Sequence, residues 1–168
     1  MGFLGKIFGN KEVAAISLKS PLNGEILERS TIPDPTFRDE ILGPTLCFKP
    51  GADHTIYAPC DGVITQIFKT GHAVTITSKD KVEILIHVGI NTVDLKGEGF
   101  TPLVQDDEEV KAGQPLIQFD GDLITKKGFS TLVPFVICNA SEFKACNFIE
   151  PRAVTLRDEV CSLIPQDD

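Results

Sequence analysis

Glycine and proline recur at short intervals along the whole of this sequence and divide it into short segments. The chain has 14 glycines and 11 prolines in 168 residues. Runs rich in β-branched and aromatic residues lie among them, at 63–68, 116–119 and 133–137. Many short strands separated by close turns are typical of β-sandwiches and β-barrels. We therefore predict an all-β fold, an antiparallel β-sandwich or barrel-like domain, with a few short helices near 123–127 and 141–146.

The composition fits one globular domain preceded by a short tail. Hydrophobic residues make up 42% of the chain and charged residues 24%, as in ordinary soluble domains. No apolar run approaches the roughly 20 residues that cross a bilayer. A compositional break near 9–13 separates an amphipathic start from the first predicted strand. We predict a flexible amphipathic tail over residues 1–13 and a single domain over residues 14–168.

The predicted tail has the pattern of a short interfacial helix. Apolar residues recur there at helical spacing beside two lysines, namely Phe3, Leu4, Ile7 and Phe8 with Lys6 and Lys11. We expect peripheral contact with the inner face of a membrane through residues 1–12. The segment lacks the long apolar core of a signal peptide, so we expect a cytoplasmic protein.

The charge and the cysteines exclude several classes of function. A net charge of -8 argues against nucleic-acid binding, which needs a basic face to neutralise phosphates, and fits a basic protein partner. The five cysteines have no C-x-x-C spacing, so neither a disulfide framework nor a zinc knuckle is indicated. We expect reduced, mostly buried thiols at Cys47, Cys60, Cys138, Cys146 and Cys161.

Two histidines stand out in the longest stretch without glycine or proline. His72 and His87 lie 15 residues apart there. In a strand over 81–90 the even-numbered residues form a continuous apolar face, so His87 points to the other face. An even-length turn centred between Lys79 and Asp80 would place the two histidines directly opposite each other, whereas a one-residue shift would place them on opposite faces. The turn has no glycine to fix its type, so the register stays open.

Two neighbouring imidazoles could hold a metal ion or carry a phosphoryl group. A neutral imidazole nitrogen is a good nucleophile near pH 7, and a second ring can donate a hydrogen bond to a phosphoryl oxygen. Gly89 lets the backbone come close to His87, and a carbonyl there would fix the ring tautomer. Gly97 and Gly99 match neither a Walker A loop nor a dinucleotide fingerprint, so we interpret them as turn glycines.

The segment 83–100 closely resembles the active-site signature of the glucose-type enzyme IIA of the bacterial sugar phosphotransferase system. The similarity covers most of residues 16–160. It implies a compact antiparallel β-sandwich, which agrees with the fold predicted from the spacing of the turns. The motifs that carry the similarity are His87-Val88-Gly89-Ile90-Asn91-Thr92-Val93-Asp94-Leu95-Lys96-Gly97-Glu98-Gly99-Phe100, Ala58-Pro59-Cys60-Asp61-Gly62-Val63-Ile64, Thr70-Gly71-His72-Ala73, Val110-Lys111-Ala112-Gly113 and Ser130-Thr131-Leu132-Val133-Pro134.

The resemblance implies specific site residues. It makes His87 the phosphorylated residue and His72 its partner, with the Thr70 hydroxyl holding the pair. Asp34 matches one of two carboxylates that flank the site, and the second position is Asn91 here, a neutral amide that cannot form an ion pair with a partner's arginine. The implied partner surface comprises Asp34, Val88, Gly89 and Asn91.

The resemblance also implies partners. It predicts a phosphocarrier that accepts a phosphoryl group on His87 from the histidine-containing phosphocarrier protein and passes it to a sugar-specific enzyme IIB. An alternative is a regulatory module that inhibits permeases or metabolic enzymes, kinases included, when unphosphorylated. No cofactor is required; zinc is expected at His72 and His87 only weakly and with a partner carboxylate, because two protein ligands are too few for a stable site.

Two further interpretations have less support. The turn motifs around Pro59 and Ala112 resemble those of biotin or lipoate carrier domains, but no lysine lies at the required hairpin tip. A zinc peptidase would need a third ligand and a base. The remaining histidine, His54, falls in the loop 51–54, where we predict a solvated turn residue.

Overall fold

The computed structural model describes residues 14–167. The predicted amphipathic tail of residues 1–13 therefore lies outside the described residues, as does the last residue of the predicted domain. Two short helices occur in the described part, α1 (Pro35–Arg38) and α2 (Gly121–Lys126), together with single 3₁₀ turns at Arg29–Thr31, Thr92–Leu95 and Ala140–Glu142. None of the helices formed by these residues is long and apolar enough to span a membrane.

Short strands make up the rest of the regular structure. They are β1 (Ile16–Lys19), β2 (Gly24–Leu27), β3 (Thr45–Pro50), β4 (Thr55–Tyr57), β5 (Gly62–Ile67), β6 (Ala73–Ser78), β7 (Glu83–His87), β8 (Phe100–Pro102), β9 (Glu109–Val110), β10 (Pro115–Phe119), β11 (Val133–Ile137), β12 (Phe143–Phe148), β13 (Ala153–Val154) and β14 (Glu159–Pro165). The strand runs predicted from the sequence coincide with β5, β10 and β11.

The strands form a sandwich-like arrangement of antiparallel sheets. An eight-stranded sheet has the order β13-β2-β3-β11-β7-β6-β5-β9, and two three-stranded sheets have the orders β1-β14-β12 and β4-β10-β8. The end strands β13 and β9 of the large sheet do not pair with each other, so this sheet is not a closed barrel. The all-β antiparallel prediction is confirmed, with the sandwich rather than the barrel as its outcome.

Strand β7 carries apolar residues on both of its faces. Its even-numbered residues Ile84 and Ile86 are fully buried in the main core, as is Val88 directly after it. Leu85 packs on the opposite side against a smaller cluster formed by Ile32, Phe37, Cys47, Ile90 and Val136. The second face of β7 is therefore covered as well, and His87 ends the strand at the border of this smaller cluster.

The hairpin register, which the sequence left open, is shifted by one residue from the one that would place the two histidines directly opposite each other. Ala73, not His72, lies opposite His87. The turn contains three residues instead of an even number: Lys81 adopts φ 71°, and Ser78 and Val82 close the loop through the Ser78 N–H and the Val82 carbonyl, 2.8 Å apart. A turn followed by a left-handed residue is the usual three-residue hairpin loop, and it shifts the register by one position.

A distant side chain holds this turn in place. The Glu83 N–H donates to Asn139 Oδ1 at 2.8 Å, and Asn139 Nδ2 donates to the Lys81 carbonyl at 2.8 Å. Asn139 is buried, so both of its polar groups find their partners in the turn. The register thus depends on a contact that the local sequence of the hairpin does not contain.

The helix predictions succeed in one place and fail in another. The helix expected near 123–127 is α2, whose first turn is capped by Asp120 accepting from the Leu123 N–H. The helix expected near 141–146 is wrong, because a single 3₁₀ turn there leads directly into β12, which pairs with β14. Helix α1 was not predicted, although Asp34 before Pro35 is a strong helix-start signal.

Candidate functional site

His87 is the last residue of β7 and lies at the end of the hairpin opposite its turn. Its neighbours Ile86 and Val88 are fully buried in the main core, which confirms that the histidine points away from the apolar face. The imidazole is half-buried and packs against the ring of Phe37 in α1, with ring centroids 5.0 Å apart. The short helix α1 therefore forms one wall of the site.

The backbone just after His87 fixes the tautomer of its ring. His87 Nδ1 lies 2.7 Å from the Gly89 carbonyl oxygen. Because a carbonyl only accepts hydrogen bonds, Nδ1 carries the proton and Nε2 keeps its lone pair. The carbonyl contact expected from the sequence is therefore present.

Gly89 is required at its position. It adopts φ 81°, and a Cβ atom there would lie 2.4 Å from Thr92 Cγ2 and 2.8 Å from the Ser130 carbonyl oxygen. The buried Thr92 also donates its hydroxyl to the Val88 carbonyl at 2.5 Å, which braces the loop. Thr92 is a residue that sequence reasoning missed, because its hydrogen bond runs back along the chain to a carbonyl that no motif reveals.

His72 is held by its own loop, directly before β6. Its side chain is buried, at 3% exposure, between the rings of Phe68 and Phe100. Thr70 Oγ1 lies 2.6 Å from His72 Nδ1, in agreement with the role expected for that hydroxyl. Gly71 between them adopts φ 74°, and a Cβ atom there would lie 3.0 Å from Phe100 Cβ.

The two imidazoles meet despite the shifted register. Their ring centroids are 5.1 Å apart and the ring planes are inclined at 77°. The Val88 N–H donates to the His72 carbonyl at 2.7 Å, so the ladder continues one residue past the strand. His72 follows the positive φ of Gly71, and strand alternation therefore does not extend to it. The expected pairing of the histidines is present, although by a route that differs from the predicted one.

Both histidines are neutral at pH 7. Burial lowers the pKa of His72 from 6.5 to about 4, and the neighbouring His87 contributes in the same direction. Burial also lowers the pKa of His87, although the Gly89 carbonyl and the Asp34 carboxylate oppose this effect. A neutral His87 with an unprotonated Nε2 can act as a nucleophile.

The expected partner surface is only partly exposed. Asp34 is half-buried and accepts from the Thr36 N–H at 2.9 Å as the N-cap of α1, and its charge acts on His87. Asn91 is exposed at φ 59°, a left-handed conformation that asparagine tolerates. Val88 is fully buried and Gly89 is buried too, so Val88 presents no side chain to a partner and Gly89 contributes its carbonyl to His87 instead.

Exposed apolar side chains near the site were not expected from the sequence. Ile41 and Leu42 follow α1 and are 68% and 43% exposed, and Val93, two residues after Asn91, is 52% exposed. They belong to the two segments that carry Phe37 and the loop after His87. Large apolar residues exposed together commonly mark a protein-binding surface.

The structure does not assemble a complete metal site from protein ligands. Across residues 14–167, no group of three or more histidine, cysteine, aspartate or glutamate side chains could hold a metal ion. His54 is not the solvated turn residue that we predicted. Its Nδ1 accepts from the Gly121 N–H at 3.1 Å and its ring stacks on Phe119, so it caps the start of α2.

Comparisons with known proteins find a family model and relatives for this chain. A family model described as phosphoenolpyruvate-dependent sugar phosphotransferase system, EIIA 1, matches residues 16–143. The glucose-specific EIIA component of Haemophilus influenzae is 42% identical over 144 residues, which are 84% of this chain and 86% of that protein. The mannose-specific EIIBCA component of Corynebacterium glutamicum is 43% identical over 128 residues, 76% of this chain but 19% of that longer protein.

The fold is also found in a solved structure. Glucose permease IIA from Mycoplasma capricolum superposes with a TM-score of 0.82 at 31% identity, covering 89% of this chain and 96% of that one. The match to the family model spans β6 and β7, both histidines and the loops that hold them. The chain therefore belongs to the EIIA 1 family of the phosphoenolpyruvate-dependent sugar phosphotransferase system.

Proposed function

We propose that this protein is a phosphocarrier whose nucleophile is Nε2 of His87. The phosphoryl group comes from the histidine-containing phosphocarrier protein and passes to an enzyme IIB. The observation that carries the proposal is the 2.7 Å contact between His87 Nδ1 and the Gly89 carbonyl, which leaves Nε2 free. The Corynebacterium relative is named an EIIBCA component, which supports a functional link between the A and B parts.

The transfer needs no acid or base to move a proton. As the new P–N bond forms at His87 Nε2, the P–N bond of the donor histidine breaks and that nitrogen recovers its lone pair. His87 keeps the proton on Nδ1, so positive charge develops on its ring. The Gly89 carbonyl stabilises that charge, and positioning accounts for most of the remaining catalysis.

His72 has a supporting role in this proposal. If the Thr70 hydroxyl donates to His72 Nδ1, the neutral ring carries its proton on Nε2. That N–H is then available to a phosphoryl oxygen. In the unphosphorylated protein burial lowers the pKa of His72 to about 4, so the ring is neutral at pH 7 before the phosphoryl group arrives.

The docking surface in this proposal comprises Asp34, Ile41, Leu42, Asn91 and Val93. Three of these side chains are large, apolar and exposed, and the chain as a whole is acidic. An apolar centre with a charged rim is typical of transient protein interfaces. The surface fits a partner with basic and apolar residues, and Asn91 makes it less acidic than the family pattern.

A labelling experiment tests the proposal. The protein is incubated with labelled phosphoenolpyruvate and the upstream phosphotransfer proteins, and we expect His87→Ala to abolish labelling. His54→Gln is the matched control, because His54 lies against Phe119 and not in the site, and it should be labelled normally. Unchanged labelling of His87→Ala would contradict the assignment.

The same surface gives a second candidate function, inhibition of permeases or metabolic kinases by the unphosphorylated protein. The exposed Ile41, Leu42 and Val93 favour it, because they lie in the two chain segments that carry Phe37 and the loop after His87, the residue whose charge phosphorylation changes. Binding of a sugar permease should be lost on phosphorylation and in Ile41→Asp. A permease that binds phosphorylated and unphosphorylated protein equally would contradict this function.

Zinc binding is proposed only as a partner-dependent event. His72 and His87 supply two nitrogen ligands, fewer than the four of a stable structural site. Titration calorimetry on the isolated protein should show weak binding or none, and a partner that adds a carboxylate should strengthen it. Tight stoichiometric zinc in the isolated chain would contradict this proposal.

The carrier is proposed to act in the cytoplasm, with residues 1–12 as a peripheral membrane contact and residues 14–168 as the phosphocarrier domain. The apolar residues and lysines of the sequence start support this role. Deletion of residues 1–12 should leave His87 labelling intact and lower binding to anionic vesicles. Undiminished vesicle binding would contradict the membrane role, and lost labelling would contradict the domain boundary.

A further inference from the structure

Two of the five cysteines are in direct contact. Cys146 Sγ in β12 lies 3.9 Å from Cys161 Sγ in β14. Both are free thiols. Cys47 contacts the Thr31 hydroxyl instead, at 3.6 Å. Among the hydrogen-bond contacts formed by residues 14–167, the Cys146–Cys161 contact alone joins two sulfur atoms. Neither cysteine takes part in the histidine site, so this pair is a separate chemical feature.

The two cysteines occupy diagonal positions on neighbouring strands. Cys161 lies opposite Phe148, and Cys146 lies opposite Leu163. Diagonal residues of an antiparallel pair have Cα atoms about 7–8 Å apart, slightly beyond the usual 4.4–6.8 Å of a disulfide. A bond between the sulfur atoms therefore requires a small movement of one strand.

Strand β12 is the one that can move. It lies at the edge of its three-stranded sheet and pairs with β14 alone, whereas β14 is held on its other side by β1. The pairing of β12 is also irregular, with a register shift between Phe143 and Ala145. Because β12 pairs with β14 alone, a small slide of β12 along β14 disturbs no ladder except the one between them. The strain that remains would make a bond between the two sulfurs easy to reduce.

The surroundings make the two thiols chemically unequal. Cys146 is half-buried, so solvent reaches it, whereas Cys161 is only 1% exposed. Burial raises the pKa of the Cys161 thiol, and either sulfur of the contact can be the donor. The accessible thiol of a redox pair is the usual attacking residue, and the buried one is its resolving partner.

We propose that Cys146 and Cys161 form a reversible disulfide on reaction with a hydroperoxide, with Cys146 as the oxidised residue and Cys161 as the resolving residue. The Cys146 thiol ionises, its thiolate attacks the terminal peroxide oxygen, the O–O bond breaks, and the leaving alkoxide or hydroxide takes up the proton that the thiol released. Cys161 then attacks the sulfenic acid at Cys146, so that the S–S bond forms and the S–O bond breaks. The released hydroxide takes the Cys161 proton as water. A reducing thiol restores both cysteines by exchange.

The test uses the full chain with Cys138→Ser, which removes the exposed cysteine. Four cysteines remain in this background. The folded protein is treated with hydrogen peroxide and is then alkylated in denaturant. We expect two alkyl groups instead of four, and four again after treatment with a reducing thiol. Peptide mapping should place the cross-link at Cys146–Cys161. Four alkyl groups, or a cross-link elsewhere, would overturn the proposal.

Two further variants separate the roles. In Cys161→Ser a sulfenic acid should accumulate at Cys146 and be trapped by a dione reagent. In Cys146→Ser the sulfenic acid and the cross-link should both be absent. Cys60→Ser is the control and should cross-link as before. Trapping at Cys161 in Cys146→Ser would overturn the assignment of the attacking thiol. Circular dichroism is used to check that each variant is folded.

Discussion

The loop after β7 and the loop before β6 each hold one histidine by its Nδ1 atom, but with different kinds of partner. After β7, the Gly89 carbonyl meets His87 at 2.7 Å, and a carbonyl can only accept. Before β6, the Thr70 hydroxyl meets His72 at 2.6 Å, and a hydroxyl can either donate or accept. The backbone therefore fixes one tautomer of His87, whereas the hydroxyl beside His72 is compatible with either tautomer of that ring.

The difference explains why two neighbouring histidines have unequal roles. His87 is half-buried, has a fixed lone pair on Nε2 and belongs to the loop beside the exposed Val93. His72 is buried against the rings of Phe68 and Phe100, and this burial lowers its pKa to about 4 and keeps the ring neutral. The first arrangement suits a nucleophile that a partner must reach, and the second suits a hydrogen-bond donor that stays in place.

The largest effect is expected at the backbone partner of His87. Gly89→Ala combines a positive φ with a Cβ atom 2.4 Å from Thr92 Cγ2, so we expect about 3 to 5 kcal/mol less stability in urea unfolding and a marked loss of labelling. Gly113→Ala is the matched control, because φ there is 87° but no atom lies within 4 Å of the added Cβ. Equal losses in the two variants would show that Gly89 has no special packing role.

Acid stability tests the burial of His72. Its pKa is about 4 in the folded protein and 6.5 ordinarily. Between these values the unfolded chain binds the proton and the folded chain does not, so the contribution of His72 makes stability fall as the pH falls from 6.5 to 4, and this contribution changes no further below pH 4. The difference corresponds to about 3 kcal/mol. His72→Gln should lose less stability over this range, and an equal acid sensitivity would contradict the buried neutral state.

Replacement of His72 should affect transfer more than acceptance. His72→Gln keeps an N–H donor in a different position, so we expect His87 labelling to survive and transfer to an enzyme IIB to fall about 10- to 100-fold, the value of a hydrogen bond to a charged group. Rapid-quench kinetics of both steps measure the split. If labelling fell as much as onward transfer, the two histidines would share one role.

The smallest effect is expected at Thr70. Thr70→Val keeps the shape of the side chain but leaves His72 Nδ1 without its partner, so onward transfer should fall about fivefold, or ~1 kcal/mol. Thr70→Ser keeps the hydroxyl and should behave nearly as the wild type. A larger effect for Ser than for Val would assign the role to the methyl group instead.

Sequence patterns captured the features that depend on neighbouring residues. Alternation along β7 predicted the direction of His87, and the spacing of Gly89 predicted its carbonyl contact, because both are set within three residues. The hairpin register could not be predicted in this way, since Asn139 holds the turn from 58 residues away at the Lys81 carbonyl. The local sequence around β12 resembles a helix, and only pairing with β14 makes it a strand.

The identity of the phosphorylated atom tests the account most directly. The protein is labelled with nitrogen-15 in its histidines and phosphorylated, and long-range proton–nitrogen correlations with phosphorus coupling locate the phosphoryl group. We predict phosphorus coupling to Nε2 of His87, with Nδ1 still protonated toward the Gly89 carbonyl. Phosphorus coupling to Nδ1 of His87, or to either nitrogen of His72, would contradict the central claim that the backbone selects the nucleophile.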